Sequence, residues 1–233
     1  MTDLLVLLSL ALGPIVVIFT VIFMLDRYER EPLTILVLCF VLGILIAVPA
    51  LFSEMGLEKV FRIKSAGDSV FWTIVRAFAI VAVCEEGYKF LVLRLYAYPR
   101  QAFNEPYDGI MYAVAIGMGL AAIENVIYVW EGGMRIALLR MFTAVPAHGV
   151  FAHLMGYFAG LAKFSRSPAR RFWLLATGLG FAILAHGLYD FFLMYDDAAL
   201  GLLSMVLLAV TFFLAFRAIR GHQRRSPFRV PKA

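Results

Sequence analysis

Cysteine is almost absent from this sequence, and its scarcity excludes two kinds of small-protein architecture. The chain has 233 residues and two cysteines, Cys39 and Cys84, both within apolar segments. Two isolated cysteines cannot form the disulfide framework of a secreted domain, and neither has the nearby cysteine or histidine partners of a zinc motif. We interpret both as small packing residues.

Charged residues are also scarce, and this excludes an ordinary soluble domain. They make up 16% of the chain, whereas 63% of the residues are hydrophobic. A soluble domain of this size does not carry that much apolar surface. The net charge of +5 does not require a nucleic-acid partner, because the basic residues lie in loops and in the C-terminal tail. The composition predicts an all-α, polytopic transmembrane bundle of about seven to eight helices in a lipid bilayer.

Seven apolar segments are long enough to cross a bilayer, which takes about 20 helical residues. We place them at about 4–25, 33–52, 70–96, 108–130, 136–161, 172–194 and 199–216. The loop 53–68 is expected to hold a short amphipathic helix, and the Gly132-Gly133 pair to end the fourth segment. We expect residues 1–216 to form one transmembrane domain and residues 217–233 a basic tail. Lysine and arginine are enriched in the loops on the side of that tail, so the positive-inside rule predicts a cytoplasmic C-terminus.

The third segment carries three charged residues, Glu85, Glu86 and Lys89. One charge at the bilayer centre costs about 2.5–3.5 kcal/mol on insertion scales, so such residues are rare and usually functional. On a helix, Lys89 lies three and four residues after the glutamates and can reach either carboxylate. Once Lys89 has paired with one glutamate, the other carboxylate stays charged or the two glutamates share a proton. A carboxylate in this situation is a candidate general base or proton carrier. The alternative is a structural ion pair that joins helices.

Three further segments carry polar side chains at membrane depth. They are Glu124 and Asn125 in the fourth segment, His148 and His153 in the fifth, and His186 and Asp190 in the sixth. Groups that cannot face lipid must face one another or water, so we expect one shared internal cavity. His186 and Asp190 are four residues apart on one helix face, which is typical of a histidine oriented by a carboxylate. His153 points away from His148 and is interpreted as a packing residue, and Asn125 can join two helices.

Four motifs in this order resemble the PrsW family of bacterial intramembrane proteases, which are related to the CAAX prenyl endopeptidases. They are EExxK at 85–89, YDGIMYAVAIGMGLAAIEN at 107–125, HGVFAHLMGYFAG at 148–160 and HGLYDF at 186–191, and DRYEREP at 26–32 resembles an early loop of the family. The resemblance covers about residues 1–195. It implies a multi-pass endopeptidase of the bacterial cell (inner) membrane. Its implied substrate is a single-pass membrane protein, such as an anti-sigma factor cut first on its extracytoplasmic side.

Peptide hydrolysis needs a base for water, a donor for the oxyanion and an acid for the leaving amine. We assign Glu85 as the base, Glu86 as its orienting neighbour and Lys89 as the countercharge. The remaining roles follow in the other segments. His148 positions water or protonates the leaving nitrogen, His186 held by Asp190 stabilises the oxyanion, and Glu124 lines the cavity.

Three alternatives stay open at this point. Two histidines and a glutamate also make a plausible zinc ligand set, here His148, His186 and Glu85. The sequence lacks HExxH, so a mechanism without metal or other cofactor is favoured and zinc ranks second. Buried Glu, Lys, His and Asp are also the parts of a proton-coupled transporter, although no convincing inverted repeat is present. The third alternative is a non-catalytic scaffold that binds transmembrane helices in the same cavity.

Overall fold

The computed structural model describes residues 2–63, 69–195 and 197–229, and its regular elements in these ranges are all helical. The α-helices are α1 (Thr2–Leu25), α2 (Leu33–Phe61), α3 (Val70–Ile74), α4 (Val83–Val92), α5 (Asp108–Phe142), α6 (Ala144–Lys163), α7 (Pro168–Met194) and α8 (Ala198–Gln223). Two π-helical stretches, Val75–Ala82 and Leu93–Ala97, flank α4. Residues 70–97 thus form one continuous rod, which we call the glutamate helix. The all-α prediction is confirmed.

The longest helix, α5, reverses direction at Gly133. This residue has φ 63° and ψ −156°, which is not helical, and a positive φ is strained for most residues other than glycine. Beyond the turn, Arg140 Nε donates to Asn125 Oδ1 at 2.8 Å, so the end of α5 runs back along its own first part. The chain then continues into α6 after a single-residue interruption at Thr143. The predicted break between the fourth and fifth segments is therefore confirmed.

Within the part of the chain that the structure describes, five segments are long and apolar enough to cross a membrane. They are Leu5–Leu25, Leu33–Phe61, Asp108–Lys163, Pro168–Met194 and Ala199–Gln223. The 56-residue segment Asp108–Lys163 contains the hairpin at Gly133 and supplies two antiparallel rods. The glutamate helix packs between α2 and α7 as a further rod. Seven helical rods result among the described residues, which fits the predicted bundle of about seven to eight helices.

The connections between rods alternate between two ends of the bundle. One end, which we call the tail end, gathers the loops 26–32, 98–107 and 164–167 and the C-terminal segment. Long-range hydrogen bonds join these parts: Tyr107 Oη to the Ile22 carbonyl, Lys163 Nζ to the Tyr98 carbonyl and Gln223 Nε2 to the Leu25 carbonyl. The Gly133 hairpin and the C-terminal end of α7 lie at the opposite end. This alternation fits seven passes, and the cytoplasmic placement of the tail end stays a prediction.

Backbone contact between α2 and α5 sets the position of the central helix. A Cβ atom added at Gly119 would lie 2.0 Å from the Phe40 carbonyl oxygen, and one added at Gly43 would lie 2.1 Å from the Ile116 carbonyl oxygen. Small residues allow such close approach between membrane helices, where packing rather than the hydrophobic effect drives association. The contact holds the first half of α5, which carries Glu124, close to α2.

Three predicted helix bounds were wrong. The α2 helix continues to Phe61, so 53–61 contains no separate amphipathic helix, and residues 64–68 of that predicted loop lie outside the described residues. The α7 helix starts at Pro168 because the Ser167 side chain caps it by accepting from the Arg170 N–H. The α8 helix extends to Gln223, where His222 Nε2 lies 2.9 Å from the Tyr157 carbonyl and holds the last turn against α6.

Candidate active site

A cavity of about 470 Å³ lies inside the bundle, between α2, the glutamate helix, α5, α6 and α7. Five of the predicted site residues line it: Glu85, Glu124, His148, His186 and Asp190. The other two, Glu86 and Lys89, lie directly behind this wall and are 0% and 1% exposed. The structure therefore brings together all seven side chains, which come from four separate rods.

Lys89 binds three of these side chains at once. Its Nζ lies 2.7 Å from Glu86 Oε1, 3.4 Å from Glu85 Oε2 and 3.2 Å from His148 Nδ1. An ammonium group can only donate, so His148 Nδ1 must accept and the ring proton lies on Nε2. That nitrogen faces Glu124 Oε2 at 3.1 Å. The pairing of Lys89 with both glutamates was predicted, whereas its contact with His148 was not.

His186 lies between two carboxylates and under an aromatic ring. Its Nδ1 is 2.9 Å from Glu86 Oε1, and its Nε2 is 3.3 Å from Asp190 Oδ2. The Phe151 ring stacks on the imidazole with the ring centroids 4.9 Å apart. An imidazole donates to two carboxylates only when both nitrogens carry protons. The arrangement therefore favours a positively charged and tightly oriented His186.

The two adjacent glutamates have different surroundings. Glu86 Oε1 lies at hydrogen-bonding distance from both Lys89 and His186. This carboxylate therefore has a structural role, since it fixes the positions of these two side chains. Glu85 has a weaker bond to Lys89 and faces the cavity, where its Oε2 is 3.8 Å from His148 Nδ1 and 4.0 Å from His186 Nε2. Glu85 is thus the carboxylate that is free to act on a molecule in the cavity.

Sequence reasoning missed Arg140 as a residue of the site. The sequence places Arg140 near the start of the fifth segment, among the basic residues of the outer side, and the hairpin brings its Nη2 to 3.7 Å from Glu124 Oε2 and its guanidinium over the Tyr128 ring at 4.1 Å. Thr143 has non-helical torsion angles and separates Arg140 from α6, so helical spacing from His148 does not indicate this position. Glu54 of α2 also lines the cavity and was missed, because the predicted second segment ended before it.

Two predicted helix-packing residues, Asn125 and His153, do not line the cavity. Asn125 Nδ2 donates to the Ala11 carbonyl at 2.8 Å, so it joins α5 to α1. His153 is 2% exposed and lines a separate, apolar cavity with Ile18 and Val114. Both placements match the interpretation of these two residues as packing residues.

Some side chains of the site place their donor atoms close enough together to hold a metal ion. Two groups of described residues place their ligand atoms within 4.8 Å of one another: Glu85, Glu86 and His186, and Glu85, Glu124 and His148. The Lys89 ammonium contacts both carboxylates of the first group, so a divalent ion there would meet a positive charge. In the second group, two carboxylates and one imidazole are a donor set that fits zinc, and Lys89 contacts Glu85 and His148 of this group as well.

The chain is similar to known bacterial proteases along most of its length. A family model described as PrsW family intramembrane metalloprotease matches residues 31–216. Protease PrsW of Geobacillus kaustophilus is 31% identical over 191 residues, which cover 82% of this chain and 81% of that protein. Protease PrsW of Bacillus subtilis is 31% identical over 185 residues (79% and 81%), and that of Oceanobacillus iheyensis is 33% identical over 186 residues (80% and 82%). No solved structure matches the chain significantly.

Proposed function

Because the chain belongs to the PrsW family of intramembrane proteases, we propose that it hydrolyses a peptide bond of a membrane-anchored protein with a water molecule activated by Glu85. The observation that carries this proposal is the position of Glu85 in the buried cavity, with its Oε2 3.8 Å from one histidine and 4.0 Å from the other. A general base must reach both the water and the groups that complete the proton transfers.

In this mechanism, Glu85 removes a proton from a water molecule that also contacts His148. The resulting hydroxide attacks the scissile carbonyl, and Glu85 then passes the proton that it took from water to the leaving nitrogen, either directly or through His148. Lys89 supports the step because its ammonium, at 3.4 Å from Glu85, stabilises the carboxylate that forms again after each proton transfer. Glu86 holds Lys89 and His186 in place throughout.

The developing oxyanion requires hydrogen-bond donors aimed at it. His186 can supply one when its Nε2 exchanges Asp190 for the substrate oxygen. Arg140 offers a second, since its Nη2 is buried without a hydrogen-bond partner among the described residues. Two such donors in a dry cavity are worth more than in water, because the surrounding dielectric is low.

A zinc-dependent reaction is the second candidate, and it is favoured by the second donor group. Glu85, Glu124 and His148 would hold the ion, which would supply Lewis-acid polarisation of the carbonyl and a more acidic bound water. Lys89 would then orient His148 through Nδ1, at 3.2 Å.

The proposed partner is a single-pass membrane protein, with an anti-sigma factor as the substrate that the family resemblance suggests. The cavity lies nearer to the Gly133 hairpin than to the tail end, since Glu124 is closer to that hairpin than to the start of α5. With a cytoplasmic C-terminus, the cut would fall in the extracytoplasmic half of the membrane. A proton-coupled transporter and a non-catalytic scaffold remain the rival functions.

The test is cleavage of a single-pass substrate by the purified protein in detergent. We expect a defined product from the wild-type chain and no product from Glu85→Gln. A wild-type protein that binds the substrate without cutting it would support the scaffold, and proton flux without cleavage in vesicles would support the transporter.

A further inference from the structure

A second cavity, of about 730 Å³, opens at the tail end of the bundle, away from the candidate active site. Three arginines line it from three parts of the chain. Arg166 comes from the α6–α7 loop, Arg170 from the first turn of α7 and Arg225 from the segment after α8. We call it the arginine pocket.

No acidic side chain among the described residues neutralises the positive charges of the arginine pocket. None of the described residues that line it is acidic, and none of the three guanidinium groups takes part in an ion pair within the described residues. By contrast, Arg76 lies 2.6 Å from Glu58, and Arg140 lies 3.7 Å from Glu124. Three unpaired arginines that converge on one concave surface create a strong local positive potential.

The rest of the lining fits a molecule that is partly apolar. Pro106 and Leu161 contribute apolar surface, and Ser165 and Ser167 add hydroxyl groups beside the arginines. The Ser167 hydroxyl is partly occupied, because it caps α7 by accepting from the Arg170 N–H at 3.3 Å. Arginine binds phosphate oxygens with paired N–H donors, which gives geometric fit as well as charge.

Two exposed aromatic residues mark the depth of the pocket in the membrane. Phe172 and Trp173 follow Arg170 within one helical turn and are 64% and 66% exposed. Tryptophan and other aromatic residues concentrate at the headgroup level of a bilayer. The arginine pocket therefore opens where lipid headgroups lie.

We propose that the arginine pocket binds the phosphate group of an anionic phospholipid, with the glycerol backbone over Pro106 and Leu161. Basic pockets beside membrane helices bind lipid headgroups through the same combination of charge and shape. This site is independent of the proposed proteolysis, because it shares no residue with the candidate active site.

Native mass spectrometry of the purified full chain with phosphatidylglycerol or phosphatidylcholine tests the proposal. We expect retention of one phosphatidylglycerol molecule with clear preference over phosphatidylcholine. The double variant Arg170→Gln/Arg225→Gln should lose about tenfold or more in affinity, since each basic residue near a membrane surface contributes on the order of a factor of five. Arg62→Gln/Arg135→Gln removes the same charge outside the pocket and should bind like the wild type.

Four results would overturn the lipid assignment. On the wild-type chain, these are equal binding of the two lipids and displacement of bound phosphatidylglycerol by millimolar inorganic phosphate. On the variants, they are equal losses of affinity in the two double variants and unchanged binding by the pocket variant. Displacement by inorganic phosphate would identify a site for soluble phosphate instead. The comparison of two lipids on the wild-type chain needs no variant, so it decides the matter even where a substitution impairs folding.

Discussion

Glu86 and His186 are separated by 100 positions in the sequence, yet Glu86 Oε1 lies 2.9 Å from His186 Nδ1. This contact joins the glutamate helix to α7 across the back of the cavity. The same carboxylate oxygen faces Lys89, which in turn contacts His148 of α6. One buried oxygen atom therefore connects three walls of the candidate active site.

Lys89→Met should destabilise the protein by about 3–5 kcal/mol, because it leaves buried carboxylates without their countercharge. Adding Glu86→Gln should recover part of that loss, since it removes one of the unpaired charges. Thermal unfolding in detergent of the two single variants and the double variant measures the coupling. Strictly additive changes would show that the two residues do not interact.

Glu85→Gln should lower turnover by about 10²–10⁴-fold while leaving substrate binding intact, because the substitution keeps the shape and removes the base. Glu58→Gln is the matched control, since Glu58 pairs with Arg76 and does not line the cavity. The measurement is the initial rate of substrate cleavage together with the affinity for an uncleaved substrate. Normal turnover in Glu85→Gln would remove the assignment of the base.

Chelation distinguishes the two mechanisms. If Glu85 activates water directly, cleavage should persist after exhaustive chelation, and His148→Ala should lower the rate without changing the metal content. If zinc is required, His148→Ala should release it and chelation should stop cleavage until zinc is restored. Elemental analysis of active protein, set beside its rate, decides between them. One zinc per chain that is needed for cleavage would contradict the metal-free mechanism.

Arg140→Gln should lower the maximal rate more than the affinity for substrate, because an oxyanion donor acts mainly in the transition state. A loss of about 10²-fold is expected for the removal of one such donor. Arg76→Gln removes another arginine of the same cavity that is already paired with Glu58, and it should have a much smaller effect. A fall in substrate affinity alone would show that Arg140 binds the substrate and does not stabilise the oxyanion.

Stability should fall as the pH rises from about 4 to about 7, because of Asp26 in the tail-end loop. Burial, followed by the charge of Glu105, raises the pKa of Asp26 from 3.8 to about 7, and the nearby Arg30 only partly opposes this. A raised carboxyl pKa means that the folded state binds the proton more tightly. Its stabilising effect is therefore complete below pH 4 and is lost as the pH approaches 7.

Asp26→Asn should flatten this pH dependence, because the amide stays neutral while its oxygen can still accept from the Glu31 N–H. The difference between variant and wild type should grow by on the order of 3 kcal/mol across this interval. Unfolding temperatures from pH 4 to pH 8 provide the measurement. A parallel pH profile for the two proteins would rule out Asp26 as the responsible group.

The sequence predicted what depends on local spacing and on the cost of burying charge. Glu85, Glu86 and Lys89 could be paired from helix geometry, and the convergence of the four polar segments followed from the exclusion of charge by lipid. Arg140 could not be placed in this way, because its position depends on where the α5 hairpin turns. The contact between Lys89 and His148 likewise depends on how α6 packs, which no local pattern specifies.

The local sequence pattern also did not predict where α2 ends. The residues after Phe52 are polar enough to resemble a loop, yet they continue the helix, and Glu58 on this extension meets Arg76 of the glutamate helix at 2.6 Å. Local polarity does not show such a contact with another rod. Glu54 enters the cavity only as a result of that extension.

The π-helical stretch Val75–Ala82 has a consequence for insertions and deletions in related chains. A π-helical turn holds one residue more than an α-helical turn, and such turns are often found beside functional sites. Deleting one residue there would restore α-helical bonding and rotate the preceding turns by about 100° relative to Glu85. Arg76 would then turn away from Glu58, while the glutamates would keep their bonds to Lys89 and His186. Length changes in this stretch should therefore alter the part of the cavity wall that Arg76 forms and leave the contacts of the two glutamates unchanged.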